Sequence, residues 1–222
     1  MTRVGAPLLL ILAAASALLA GGAPARAMTF EAMRGGACGE SACILASGSI
    51  DDDTADRFRA YLRRENVRPG EVVILDSEGG DVVQALSLGV EIRKAELSTL
   101  IAPGQGPSGV SRGLCASACA YAFMGGVRRS VGEGGKFGVH QMFGRHGELN
   151  SSDSQTLVAL IAVHFQRLGG SLDLLISALR TPPQKMHWLS ANELSRFGVI
   201  TDGGPADRAG EFATITPRSD QS

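Results

Sequence analysis

The stretch EVVILDSEGGD, from Glu71 to Asp81, constrains this chain more than any other. Val72 to Leu75 is a short apolar, β-branched run, and Gly79-Gly80 interrupts the chain just before Asp81. From Asp81 onward Val83, Leu86 and Val90 fall at helical spacing, so the segment reads as strand, glycine turn, helix. A strand that is apolar on both faces belongs in a parallel sheet covered by helices, because each face must be shielded from water. The alternation recurs. Ala42 to Ile50 reads as a strand, and the Asp51-Asp52-Asp53 run caps a helix reaching about Glu65. Ser98 to Ala102 reads as a strand followed by a long loop, APGQGPSGVSRG. Ala116 to Met124 reads as a helix of small residues, and Val139-His140 closes a further apolar stretch. Leu157, Leu160, Ile161, His164, Phe165 and Leu168 share one helical face, and a helix around Leu172 to Leu179 stops at Pro182-Pro183. The expected class is α/β, built from crossover units with a mainly parallel sheet flanked by helices. Nothing in the pattern indicates a second domain or a repeat.

The first 27 residues carry Arg3, an apolar run from Ala6 to Ala20, and the small residues Ala25 and Ala27. That layout is a secretory signal, and the run is shorter than the ~20 apolar residues a bilayer core requires. Residues 1–27 are therefore expected to be removed, leaving a single domain over 28–222 in the periplasm or outside the cell, free of the membrane. A polar tail from about 209 is expected to be flexible, with an edge strand at Phe212 to Ile215. Lys+Arg 21 against Asp+Glu 22 leaves a net charge of −1, and no basic cluster is interleaved with aromatic residues, so nucleic acid is not an expected partner. Export also bears on Cys38, Cys43, Cys115 and Cys119: an oxidising compartment favours disulfides, and four cysteines allow three pairings. If Cys115 to Cys119 were helical, a direct bridge between them would be poorly placed, whereas a bond from either to Cys38 or Cys43 would staple the N-terminal strand. No histidine stands near either pair at zinc-finger spacing, so neither a metal nor a cofactor is expected.

Three motifs carry chemistry: DSEGGD (Asp76 to Asp81), CASAC (Cys115 to Cys119) and GVHQMFG (Gly138 to Gly144). Together they resemble the Clp protease proteolytic subunit, within the wider Clp/crotonase superfamily. Gly79-Gly80 matches that family's glycine turn, Ser117 its nucleophile at the head of a small-residue helix, and His140-Gln141 its base segment. The run from Trp188 to Ile200 resembles the closing helix and strand, so the resemblance spans roughly Ala42 to Asp202. It implies a Clp/crotonase-like fold of ββα-type units and a homo-oligomer. It also implies a peptide or unfolded protein as substrate. Two departures stand out: Met186 occupies the position of the family's triad aspartate, and Glu78 replaces a proline in the turn.

The residue chemistry points the same way. A serine hydroxyl is a weak nucleophile at neutral pH and needs a histidine within hydrogen-bond reach, which Ser117 and His140 supply. The oxyanion needs fixed N–H donors, for which Gly79 and Ala118 are the candidates. Asp153, Asp173 and Glu193 are the candidates to replace the missing aspartate, with a backbone carbonyl or an Asn as the other groups able to orient the ring. Three rivals remain. Ser117 could serve only close helix packing; Cys115 or Cys119 could be the nucleophile of a thiol hydrolase; and a protein without its aspartate could bind peptides without cleaving them. His164 is expected to be a hydrogen-bonded core residue and His146 to be solvated, while His187 is given no role.

Overall fold

Val72–Asp76 forms the fully buried strand β3, and two parallel neighbours explain its uniform hydrophobicity. The computed structural model describes residues 26–35, 38, 42–106, 109–143 and 151–201. Most of the leader, the tail with its expected edge strand, and His146 lie outside the described residues. On one side of β3 runs β2 (Cys43–Ser47), in register from Cys43↔Val72 to Ser47↔Asp76. On the other runs β4 (Ser98–Ile101), from Val72↔Ser98 to Ile74↔Leu100. Two strands complete the sheet: β1 (Thr29–Met33), antiparallel on β2, and β8 (Arg129–Val131), parallel on β4. A three-stranded sheet follows, with β7 (Leu114–Ala116) parallel to β9 (Lys136–Val139) and β10 (His187–Trp188) antiparallel to β9. The architecture is thus mixed α/β with both parallel and antiparallel pairing.

The helical faces read from the sequence are buried only in part: Ile161, His164 and Phe165 are buried but Leu160 is exposed, and Val83 and Val90 are exposed while Ala85, Leu88 and Ile92 are buried. Helix α1 (Thr54–Arg64) turns Ala55, Phe58 and Tyr61 inward, while Arg57 meets Asp51 at 2.6 Å on the surface. Helix α2 (Val82–Lys94) starts where expected, because the Asp81 carboxylate accepts the Gln84 N–H at 2.8 Å. Helices α4 (Ser151–Arg167) and α5 (Leu172–Arg180) bury Ile161, Phe165, Leu174 and Leu175. Helix α6 (Ala191–Arg196) opens with a capping box between Ser190 and Glu193. No helix among the described residues is long and apolar enough to cross a membrane.

Two expectations are corrected. Residues 102–113 are not a plain loop: β5 (Pro103–Gly106) and β6 (Gly109–Arg112) form an antiparallel hairpin. Its Gly- and Pro-rich sequence has little strand propensity, so the pairing comes from backbone hydrogen bonds and from anchors such as Ser111 Oγ donating to the Ala102 carbonyl at 3.0 Å. Nor does a helix run from Ala116. Residues 114–116 are strand β7, and helix α3 (Cys119–Phe123) begins two residues after Ser117.

Helices α2 and α3 cross at glycines. A Cβ on Gly89 would sit 2.7 Å from the Tyr121 carbonyl oxygen, and one on Gly125 would collide with the Gly89 carbonyl. We predict that Gly125→Ala destabilises the protein by about 2 kcal/mol, read by urea denaturation, because backbone must move to admit the methyl group.

Candidate functional site

Three parallel strand ends build the site. The Ser77 N–H, just past β3, donates to the Leu114 carbonyl at 2.7 Å, and the Ala116 N–H returns a bond to the Ser77 carbonyl at 3.0 Å. Strand β7 in turn lies parallel to β9, with Ala116 opposite Gly138, and the Ser117 N–H donates to the Gly138 carbonyl at 2.9 Å. Gly79, Ser117 and His140 each follow the carboxyl end of one of these strands. Residues far apart in sequence therefore reach one edge of the molecule, where parallel α/β sheets commonly bind ligands.

Ser117 occupies the sharpest turn there. Its φ of 58° is left-handed, a conformation unfavourable for a residue bearing a Cβ. It is half-buried rather than sealed in, and it opens onto a cleft of about 340 Å³. Ala118 and His140 line the same cleft, together with Glu78, Gly80, Val82, Tyr121, Met142, Phe143 and Pro183. Gly79 backs against the turn: a Cβ there would lie 2.8 Å from Ser117 Cβ and 2.9 Å from the Ala118 nitrogen, and its φ of 103° also favours glycine. The four residues singled out from sequence are thus gathered at one place.

The donors are not all free. The Gly79 N–H points at Ser77 Oγ, 3.1 Å away, so in this conformation it is held by a side chain. Sequence reasoning passed over Ser77, although a serine two residues before a turn glycine is a common local acceptor. Glu78, standing where the resemblance expects proline, is exposed and paired with Arg112 at 2.7 Å at the cleft rim. Arg112 also meets the buried Asp76 carboxylate, whose Oδ2 accepts the Arg112 N–H at 3.0 Å. The β5–β6 hairpin is thereby fastened beside the cleft.

His140 is buried, 7% exposed, and its Nδ1 has no hydrogen-bond partner among the described residues. The three carboxylates considered from sequence do not change this. Glu193 holds His187 at 2.9 Å, Asp173 lines a separate groove with that pair, and Asp153 is exposed on α4. The Glu193 carboxyl is pushed down to about 2, chiefly by hydrogen bonds from the Ser190 backbone and hydroxyl, with His187 adding to the effect. His187, left without a role by sequence, therefore belongs to a capping cluster. His164 is the core residue expected, with Nε2 2.9 Å from the Tyr121 carbonyl. Burial lowers the pKa of His140 below the ordinary 6.5, with the Gln141 backbone pulling the other way.

The cysteines pair locally, Cys38 with Cys43 and Cys115 with Cys119, and none is free. The expected obstacle to a Cys115–Cys119 bridge disappears because the segment is strand, turn and helix, which brings the two Cα atoms to 5.3 Å. This bond encircles Ser117, and it removes both thiols as nucleophiles. Among the described residues no cluster fit to hold a metal ion occurs. No protein-family model and no curated protein matches the chain.

Two outcomes are expected. Cys115→Ala with Cys119→Ala should cost about 2 kcal/mol by the chain-entropy rule for so short a loop, and should speed hydrogen exchange at the Ser117 amide. The second concerns acid. Burial also lowers the pKa of His164, so as pH falls below 6.5 the unfolded chain takes up protons on both histidines before the folded one does. Their contribution to stability is complete above that value and is lost as pH drops towards their folded values. His140→Gln and His164→Gln should each flatten the dependence of the denaturation midpoint between pH 7 and about pH 5.

Proposed function

We propose that the protein is a serine-dependent peptidase or related acyl hydrolase, a divergent Clp/crotonase-like protein acting in the periplasm or outside the cell as a homo-oligomer. The observation that carries this reading is the left-handed turn at Ser117, a non-glycine residue held at φ 58° at the mouth of a cleft it shares with His140. Strain of this kind costs of order 1–3 kcal/mol and is concentrated where a side chain must be presented to a substrate.

In the proposed reaction Ser117 Oγ attacks the carbonyl carbon of a peptide or other acyl substrate while its proton passes to Nε2 of His140. The Ala118 N–H receives the oxyanion, joined by the Gly79 N–H once it leaves Ser77. The C–N bond then breaks, His140 returns the proton to the leaving amine, and water repeats the sequence to release the acid and regenerate Ser117. The apolar walls from Val82, Met142 and Phe143 suit an uncharged side chain on the acyl part.

The second reading, a protein of the same fold that binds peptides without cleaving them, draws on the orphan Nδ1 of His140. Nothing locks the proton on that nitrogen, so the tautomer with Nε2 free to accept is not fixed. Met186 is the residue next in register, since His187 pairs with Val139 and Trp188 with Gly138.

A fluorophosphonate probe separates the two. Labelling of the wild type that disappears in Ser117→Ala supports the hydrolase, whereas labelling that persists in the variant excludes Ser117 as nucleophile. No labelling of either favours the binding protein. Below pH 6.5 the labelling rate should hold up further than for an ordinary histidine, because the His140 imidazole stays neutral there. Met186→Asp should accelerate labelling at least about tenfold, part of the factor of roughly 10⁴ that an orienting aspartate contributes in a well-studied triad.

A further inference from the structure

Away from the cleft, a cavity of about 580 Å³ is lined by two arginines and, among the described residues, by no acidic one. Arg93 lies in the last turn of α2, and Arg129 begins β8. Arg129 is only 3% exposed, a burial that charged side chains rarely reach without a counter-charge. It has none among the described residues. Its Nε, Nη1 and Nη2 donate to the carbonyls of Val199, Gly126 and Gly198 at 2.8, 3.1 and 2.9 Å. Arg93 reaches the same Gly126 carbonyl through Nη2 at 2.8 Å, while its Nε is buried without a partner.

These carbonyls orient the guanidiniums but leave N–H donors unused on both, since each guanidinium carries five. Neutral carbonyls also leave the charges uncompensated. The Arg93 charge is felt at Arg129: its pKa is pushed down to about 10 by burial first and by Arg93 second, which leaves Arg129 protonated at neutral pH. A cavity of this size between them, bordered by Ser195 and Thr201, offers room for the missing anion.

We propose that this cavity binds a small tetrahedral oxyanion, such as phosphate or sulfate, between Arg93 and Arg129. A dianion offsets both charges at once, and its oxygens accept from planar guanidinium forks. A monocarboxylate offsets only one. The proposal is independent of the hydrolase reading.

The test uses the full chain with inorganic phosphate, sulfate or acetate, followed by calorimetric titration and thermal unfolding at an ionic strength held constant with sodium chloride. Phosphate and sulfate should bind saturably and raise the melting temperature, with acetate weaker by about tenfold or more. Arg93→Gln should weaken phosphate binding at least about tenfold. Arg129 is left intact because it also ties down three carbonyls. Ser195→Asp, which places a fixed carboxylate at the exposed rim, keeps the question open to test if Arg93→Gln does not fold. It should abolish phosphate binding and raise the melting temperature without added anion. The proposal is overturned if phosphate gives no heat and no shift beyond the chloride control, if Arg93→Gln or Ser195→Asp binds phosphate as the wild type does, or if acetate binds as tightly as phosphate.

Discussion

The chain's local chemistry depends on one constraint, the parallel alignment of three strand ends. Ser77 exchanges backbone hydrogen bonds with β7, and β7 is tied to β9 through Ser117 and Gly138. Because parallel strands run in the same direction, the residues that follow them emerge at a common edge. Gly79, Ser117 and His140 are neighbours for that reason and not through direct side-chain bonds. The Cys115–Cys119 bond closes around the central turn, where a left-handed residue would otherwise relax towards the broader allowed regions.

The cleft combines features that favour chemistry with features that restrain it. Burial lowers the pKa of His140 and so favours the neutral form that a proton acceptor requires, yet Nδ1 has no partner among the described residues to fix the tautomer. The Gly79 amide is close to the turn but engaged by Ser77. Each restraint is a single interaction that a substrate or a side-chain rotation can exchange. The exposed Glu78–Arg112 pair at the rim contributes little stability by itself, as surface pairs generally do. Its geometric effect is to tie the hairpin to the glycine turn.

Much of this was legible in the residues, and the failures have identifiable causes. Strand β3 and helix α2 were readable because a four-residue apolar run, a glycine turn and an aspartate cap all agree. Strands β1 and β8 were not: TFEAM and RSV are short and weakly patterned, and β8 pairs with β4, some way back in the sequence. The β5–β6 hairpin was hidden by glycine and proline, whose low strand propensity is overcome by tertiary anchors. The helix assigned from Ala116 began late because small residues fit a helix and a tight turn equally well. That error alone made the Cys115–Cys119 bond look unfavourable.

Sequence alone determined the α/β alternation, the helix start at Asp81, and the identity of the serine, histidine and glycines worth examining, since each depends on local spacing and residue chemistry. Tertiary structure decided the cysteine pairing, the left-handed turn at Ser117, the hold of Ser77 on the Gly79 amide, the isolation of His140 Nδ1 and the convergence of Arg93 and Arg129. Those features depend on which distant segments share an edge or a cavity. Periodicity distinguishes helix from strand, but which residues end up buried, and the distance and orientation between elements, are settled only once the chain has packed.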